Sequence, residues 1–353
     1  MNSPSVSLPL PGYWILRLGR RNISLPVSRR ALAVNLLLLI LLLATAVASL
    51  GLGTVRLGPL EVWLALWGEG PALNQLVVRE LRLMRVLAGL ASGAAFALSG
   101  CLMQTLAGNR LATPGIIGID NAATAFAVAS VVGMASSLVP SAMSLIGALV
   151  ATALVFALAG GSGNRGHRFI VVGLGVGAVA GALTQLMLSM VSIDDANAAF
   201  PWTVGSLNAR SPAATMLLGA GLLAGLVPAL WMGRSLRLLQ LPAAVSLSLG
   251  VNLRRVRAMS LLLSVALTGL AVAVAGPVGL VALLGPEVAR LLCRHRGVPL
   301  LASALAGGLL MLLADLAGRL LLAPLEIPVG MVTAVVGSPY LLWMLLTPDR
   351  SRP

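Results

Sequence analysis

Lysine is absent from this sequence, although its net charge is +14. All 24 basic residues are arginines, and they are accompanied by only 10 acidic residues and two histidines in a chain of 353 residues. A P-loop needs a lysine that reaches the β and γ phosphates, so this chain has no such nucleotide site. Zinc-hydrolase motifs and a serine elbow on a soluble sheet are also missing. We therefore expect no catalytic residue in this chain, and no enzyme.

Cysteine and aromatic residues are also scarce. The two cysteines, Cys101 and Cys293, lie in or beside apolar segments without metal-ligand spacing, so we expect buried free thiols rather than a disulfide or a metal site. Aromatic residues make up 4% of the chain, and the arginines are divided among separate segments. Such a pattern does not indicate nucleic-acid binding, because basic patches that bind nucleic acid usually carry interleaved aromatic residues.

Apolar residues are abundant, at 58% of the chain against 10% charged residues. Several runs exceed the roughly 20 residues that cross a bilayer, so the expected fold class is an all-α polytopic membrane protein. Glycine, proline and polar residues that interrupt the apolar runs predict ten spans, with both termini on one side of the membrane. The spans are at about 31–51, 86–106, 114–134, 140–160, 169–193, 212–232, then 258–286 divided at Gly276-Pro277 into two, 299–321 and 328–347.

The first span resembles a signal peptide in having basic residues before it and Ala46-Val47-Ala48 near its end. Its apolar core is longer than the usual 7 to 15 residues or so of a signal peptide, so we predict an uncleaved first helix. The expected organisation is a basic cytoplasmic segment over residues 1–30, one transmembrane domain over 31–347, and a cytoplasmic tail over 348–353.

The arginines indicate the orientation of the ten spans. With a cytoplasmic N-terminus, 18 of the 24 arginines fall on the inner side. This excess follows the positive-inside rule, and it also favours attraction to anionic lipid of the inner leaflet. The six arginines assigned to the outer side are Arg56, Arg79, Arg82, Arg85, Arg210 and Arg319.

Transport is the role that ten spans without catalytic motifs favour. Ion-coupled carriers usually place ionisable groups at mid-membrane depth, whereas Asp120, Glu287 and Asp315 fall toward span ends. We therefore expect the energy to come from another polypeptide. An ion-coupled carrier and a membrane scaffold or lipid-binding subunit stay open as alternatives.

Four stretches resemble the FecCD-type permeases, the membrane subunits of ABC importers for ferric siderophores, haem and vitamin B12. The first, LRLMRVLAGLASGAAFALSGCLMQTLAGNRLATPGIIGIDN, covers residues 81–121; SLGVNLRRVR, AGPVGLVALLGPEVARLL and LLADLAGRLLLAPLEIPVGMVTAVVGSP follow. The resemblance implies a type II importer permease fold, like that of the vitamin B12 importer, in the bacterial inner membrane. Within the family, WTVGSLN at 202–208 is most similar to the permease half that handles ferric enterobactin.

The resemblance also implies partners. They are a second permease subunit, identical or homologous, two ATPase subunits that use ATP and Mg, and a periplasmic substrate-binding protein that delivers a ferric siderophore. No cofactor is expected on this chain itself. Substrate would cross by alternating access, with haem or vitamin B12 as alternative cargo.

Three groups of residues acquire expected roles from the resemblance. Docking of the binding protein is assigned to Arg82, Arg85 and Arg319, although Glu80 and Asp315 offer them local partners instead. Contact with the ATPase is assigned to Ser246–Arg257, which would form a short helix resting in a groove of the ATPase. An ordinary positive-inside loop would also explain its arginines. The residues expected there are Leu249, Gly250, Val251, Arg254, Arg255 and Arg257.

The expected cytoplasmic gate lies at Gly166 and His167, before the fifth span. Polar and methionine positions toward the outer end of that span are candidates for the pathway, namely Gln185, Met187 and Met190. The sequence departs from the family pattern at Met84, Arg110, Gln240 and Glu287. Their roles cannot be carried over from the family.

Overall fold

The computed structural model describes residues 13–18, 23–53, 55–133, 139–159, 166–294 and 297–346. An antiparallel hairpin comes first: β1 (Tyr13–Leu18) pairs with β2 (Ile23–Ser28), and Tyr13 lies opposite Ser28. The expectation of a basic N-terminal segment gave no indication of these strands. From Arg29 onward the regular structure in the described residues is helical, so the all-α prediction for the membrane domain is confirmed.

Fifteen α-helices follow the hairpin in the described residues. They are α1 (Arg29–Gly51), α2 (Pro59–Trp67), α3 (Ala72–Gln75), α4 (Leu83–Ala107), α5 (Ile119–Val131), α6 (Pro140–Ala159), α7 (Gly166–Ser189), α8 (Ile193–Val204), α9 (Pro212–Trp231), α10 (Gly233–Leu238), α11 (Ala243–Ser248), α12 (Leu253–Ala275), α13 (Gly279–Cys293), α14 (Leu300–Leu320) and α15 (Val329–Leu346). A π-helical turn, Leu76–Arg82, leads into α4, and a 3₁₀ turn, Pro114–Ile117, precedes α5.

The ten predicted spans correspond to ten of these helices. Seven are long and apolar enough to cross a bilayer: α1, α4 with the turns before it, α6, α7, α9, α12 and α14. The third, eighth and tenth spans are the shorter helices α5, α13 and α15. Two of these are shortened by glycines with positive φ, Gly118 before α5 and Gly276 before α13. A residue with positive φ cannot be part of a right-handed α-helix, so each helix begins only after its glycine.

Contacts between helix ends agree with alternating directions. At the cytoplasmic end, Arg30 at the start of α1 donates to the carbonyl of Leu292 at the end of α13. At the opposite end, Arg319 near the end of α14 donates to the carbonyl of Ser49 near the end of α1. The predicted multi-pass arrangement is therefore reproduced by pairs of residues more than 200 positions apart.

Helix α4 forms the centre of the bundle, packed against α12, α13 and α14. Small residues allow the backbones to approach closely: a Cβ atom at Gly100 would lie 1.9 Å from the carbonyl oxygen of Ala282. On another side of α4, Thr268 of α12 donates to the hydroxyl of Ser99 over 3.0 Å. Close glycine contacts and interhelical hydrogen bonds are the main means of packing helices in lipid.

Gly100→Ala is expected to lower the stability of the purified protein, because the added methyl group overlaps the Ala282 carbonyl and must push α13 away. Overpacking of this kind costs about 1–3 kcal/mol. Gly175→Ala on α7 is the matched control: no atom lies within 4 Å of its added methyl group. Thermal unfolding in detergent should separate the two variants, and an equal loss in both would contradict the close α4–α13 contact.

Candidate functional site

The outer end of the bundle contains a cluster of buried charges. Arg85 on α4 contacts Asp315 on α14, with Nη2 3.0 Å from Oδ1, and Arg319 Nε lies 3.1 Å from Asp315 Oδ2. Arg85 also reaches the exposed Glu326 over 2.8 Å. The side chains of Arg85, Asp315 and Arg319 are only 12%, 3% and 8% exposed. One carboxylate therefore holds two arginines from two helices.

Arg82 extends this cluster through backbone carbonyls rather than carboxylates. Its Nη1 donates to Leu50 over 2.7 Å and its Nη2 to Val55 over 2.6 Å, at the outer end of α1. The residue is 7% exposed. The structure thus brings Arg82, Arg85 and Arg319 together as expected, and it shows the local pairing considered from the sequence, although with Asp315 and carbonyls rather than Glu80. Docking of a partner by these arginines stays a prediction.

The inner end of the bundle contains a second network, around Glu287. This carboxylate is 6% exposed and accepts a hydrogen bond from Arg290 over 2.9 Å. Arg290 also donates to Gln104 on α4, and Arg110 lies 3.6 Å from the other oxygen of Glu287. Arg110 and Glu287 are two of the four departures from the family pattern, so these departures form an ion pair. Their opposite charges were the only signal in the sequence.

Glu287→Gln is expected to destabilise the protein by about 2 kcal/mol, because Arg290 then loses its buried counter-charge. Arg110→Gln is the matched control: the Arg110 side chain is 54% exposed, and breaking such an exposed pair costs about 1 kcal/mol or less. Thermal unfolding of both variants at low and high salt measures this. If Arg110→Gln were the more harmful change, Glu287 would not be the centre of the network.

The cytoplasmic connection between α9 and α12 differs in detail from the expectation. The expectation of one short helix over Ser246–Arg257 is wrong: α11 begins earlier, at Ala243, and ends at Ser248. Leu249–Asn252 form a turn, in which Gly250 has φ +79°. The last arginines belong to α12, because Asn252 caps that helix by accepting from the amide of Arg255 over 3.0 Å. Another of the four departures from the family pattern, Gln240, lies exposed in the turn before α11.

Helix α11 and Leu249 directly after it expose apolar side chains at the cytoplasmic end. Val245, Leu247 and Leu249 are 43%, 58% and 57% exposed. Underneath, the hydroxyl of the fully buried Ser246 donates to the carbonyl of Leu238 over 2.6 Å, which ties α11 to α10. Exposed apolar side chains grouped on a fixed support mark interaction sites. The arrangement is a small, firmly held contact surface.

The expected gate and pathway are only partly described. Gly166 is the first residue of α7, and the side chain of His167 lies outside the described residues. Gln185 borders a cavity of about 330 Å³ between α5, α7 and α8. Met187 packs into apolar clusters beside that cavity, and Met190 is 69% exposed. Thr184 also borders the cavity, and the polar groups there that were missed in the sequence are Asn121, Thr124 and Thr203.

Asp120 lies deeper than expected. Its neighbour Asn121 donates to the carbonyl of Gly177 over 3.0 Å, and Gly177 is halfway along α7. The start of α5 is therefore near the middle of the bundle, where Asp120 also approaches Gly279 at the start of α13. The Oδ1 atom of Asp120 is buried and has no hydrogen-bond partner among the described residues, although the starts of α5 and α13 lie close by. Asp120 is the second residue of α5, toward the end of its helix as expected, but this end lies near the middle of the bundle because α5 is a half-length helix.

Comparisons with known proteins agree with this architecture. The ferric enterobactin transport system permease protein FepG of Escherichia coli (strain K12) is 35% identical over 327 residues, which cover 92% of this chain and 99% of that protein. The achromobactin transport system permease protein CbrC of Dickeya dadantii (strain 3937) is 37% identical over 315 residues, covering 88% and 90%. Other matching relatives are named as permeases for hydroxamate, citrate or haemin.

A solved structure and a family model complete the comparison. The structure, an inward-facing metal-chelate type ABC transporter, is 26% identical, with a TM-score of 0.77 over 90% of this chain and all of that chain. The model of the FecCD transport family matches residues 39–347, which include every predicted span except the start of the first. The chain is a multi-pass membrane protein that belongs to the FecCD transport family.

Proposed function

We propose that this chain is the permease subunit of an ABC importer that carries a ferric siderophore across the bacterial inner membrane into the cytoplasm. The observation that carries the proposal is the family match along nearly the whole chain, together with relatives named as iron-chelate and haemin permeases. The missing lysine fits a subunit that leaves ATP hydrolysis, with its Mg, to a partner. The permease itself contributes shape and gating.

The exposed apolar side chains of α11 and Leu249 are proposed to contact the ATPase, so that ATP binding by the ATPase moves α11. Closure of two ATPase subunits would move α11, and the firm contact of Ser246 with Leu238 would pass that movement to α10. The inner network around Glu287 joins α4 and α13 at the same end. Movement there would change which side of the bundle is open, with the gate near Gly166 and His167. The result is alternating access.

At the outer face, we propose that a periplasmic binding protein docks over Arg82, Arg85 and Arg319. Glu326 is the exposed part of this cluster, whereas Arg85 is only 12% exposed and, like Arg82 and Arg319, already donates to groups within the chain. Docking would therefore exchange the Arg85–Glu326 contact for one with the partner. Charged surfaces orient docking and raise association rates, and salt weakens them. Binding-protein affinity should therefore fall with added salt, and it should fall less steeply in Arg85→Gln.

Ferric enterobactin is the proposed cargo, in accord with the relative named for it and with the resemblance of residues 202–208. A second permease, identical or homologous, would complete the pathway beside the cavity near Gln185. Haem or vitamin B12 is the alternative cargo. Uptake of radiolabelled iron across a panel of siderophores, with haem and cobalamin in parallel, would identify the cargo.

One experiment tests the function as a whole. The chain should co-isolate with an ATPase, and ATP hydrolysis by the complex should be stimulated by the binding protein and inhibited by vanadate. Asp120→Asn provides a control for the ion-coupled alternative, since Asp120 is an ionisable group at mid-depth. Uptake that survives an inactive ATPase but stops in Asp120→Asn, or with a collapsed proton gradient, would overturn the proposal.

A further inference from the structure

A pocket of about 340 Å³ opens at the cytoplasmic end of the bundle, beside α10, the helix to which α11 is tied. It lies between the start of α1, the start of α10, the end of α13 and the start of α14. Most of its lining is apolar, including Leu230, Val298 and Leu301, and two polar side chains, Asn35 and Arg237, complete it. All four helix ends belong to the side that the arginine distribution identifies as cytoplasmic.

Asn35 is an unusual residue for this position. It stands in the second turn of α1, where exposed neighbours such as Leu36 and Leu37 face the surroundings of the bundle. Its Oδ1 atom is buried and has no hydrogen-bond partner among the described residues. A buried acceptor without a partner costs about 1–3 kcal/mol, so a ligand hydroxyl that donates to this oxygen would recover the free energy.

The start of α14 supplies further donors to the pocket. The first backbone hydrogen bond of that helix runs from the amide of Ser303 to the carbonyl of Pro299. The amides of Leu301 and Ala302 come before it, and Pro299 provides no side-chain cap. Such a helix start carries a partial positive charge and attracts phosphate groups.

Two arginines add full positive charges. Arg237 lines the pocket, is exposed, and has no side-chain partner among the described residues. Arg30, one residue before Ala31 of the lining, donates to the Leu292 carbonyl beside Cys293 and so lies at the rim. No carboxylate lines the pocket in the described part of the chain. The site therefore presents donors and positive charge above an apolar wall.

We infer that this pocket binds the headgroup of an anionic phospholipid from the inner leaflet. The phosphate would sit between Arg237 and the start of α14, and a glycerol hydroxyl of the headgroup would donate to Asn35 Oδ1. The acyl chains would follow the exposed leucines of α1 and the end of α9. Trp231, 81% exposed at that end of α9, lies where interfacial tryptophans contact headgroups. A soluble anion would make no favourable contact with the apolar wall. Basic pockets between helices on the cytoplasmic side are known to bind anionic lipid headgroups.

The test measures lipids retained by the full-length chain, purified with whatever subunits accompany it, using native mass spectrometry. Phosphatidylglycerol or cardiolipin should bind more tightly than phosphatidylcholine. Arg237→Gln should weaken binding of the anionic lipid on the order of fivefold, the effect of one arginine near a membrane surface. Asn35→Leu should weaken it as well without changing the charge of the protein. Arg255→Gln is the matched control: Arg255 is equally exposed at the cytoplasmic end but lies outside the pocket.

Three outcomes would overturn the inference. Equal retention of anionic and zwitterionic lipid would remove the headgroup preference. An equal loss in Arg237→Gln and Arg255→Gln would show only general attraction to basic loops. Displacement of the lipid by inorganic phosphate alone, or its exclusion when the ATPase is bound, would show that a soluble anion or a protein partner occupies the pocket.

Discussion

Replacing Asp315 with asparagine is expected to destabilise the protein by about 3 kcal/mol, because it removes the carboxylate that the two buried arginines Arg85 and Arg319 share. Asp315 is 3% exposed and lies 3.0 Å from Arg85 and 3.1 Å from Arg319. Asparagine keeps the shape of the side chain but loses its charge, leaving Arg319 without a counter-ion in direct contact and Arg85 with only Glu326. Thermal or chemical unfolding of the purified protein measures the loss.

Glu326→Gln is the matched control for Asp315→Asn. Glu326 contacts the same Arg85, but its side chain is 46% exposed, so removing its charge should cost about 1 kcal/mol or less. A double-mutant cycle that combines Asp315→Asn with Arg85→Gln measures the interaction free energy between the two residues. If the two single carboxylate variants lost equal stability, burial would not govern the cluster, and the outer arginines would be freer to dock a partner than the structure indicates.

The spans could be predicted from the sequence because glycine and proline residues mark where the helices end. Gly276-Pro277 marks a helix boundary in both the prediction and the structure, since a glycine with positive φ followed by proline cannot continue a helix. The arginine distribution predicted the directions, which the contacts of Arg30 and Arg319 reproduce. These features depend on local chemistry, which a sequence shows directly.

The missed features depend on contacts between distant segments. The pairing of Arg110 with Glu287 joins positions 177 residues apart, and only folding brings them together. Asp120 lies near the middle of the bundle because α5 begins only at Ile119, a shortening that the apolar run of its predicted span, about 114–134, did not show. The start of α11 was placed three residues late, since no strong cap precedes Ala243. Apolar periodicity gives the type of an element more reliably than its ends.

The double variant Leu247→Glu/Leu249→Glu is expected to abolish iron uptake while leaving the fold intact. Both side chains are more than half exposed, so the substitutions disturb little inside the chain. A partner groove that receives them would have to desolvate two unpaired carboxylates, which should weaken association with the ATPase about tenfold or more. Co-isolation of the ATPase, uptake of labelled iron and thermal unfolding are measured on the same preparation.

Ser248→Glu is the control for that double variant, because it adds a charge to the same helix at an exposed polar position. It should retain most of the uptake, since the exposed apolar side chains Val245, Leu247 and Leu249 are unchanged. Full uptake in the double variant would exclude α11 as the contact and move the role to Arg254, Arg255 and Arg257 at the start of α12. A parallel loss in Ser248→Glu would mean that any negative charge there repels the ATPase. Loss in the double variant alone assigns the contact to the apolar side chains, as their exposure on the tethered α11 indicates.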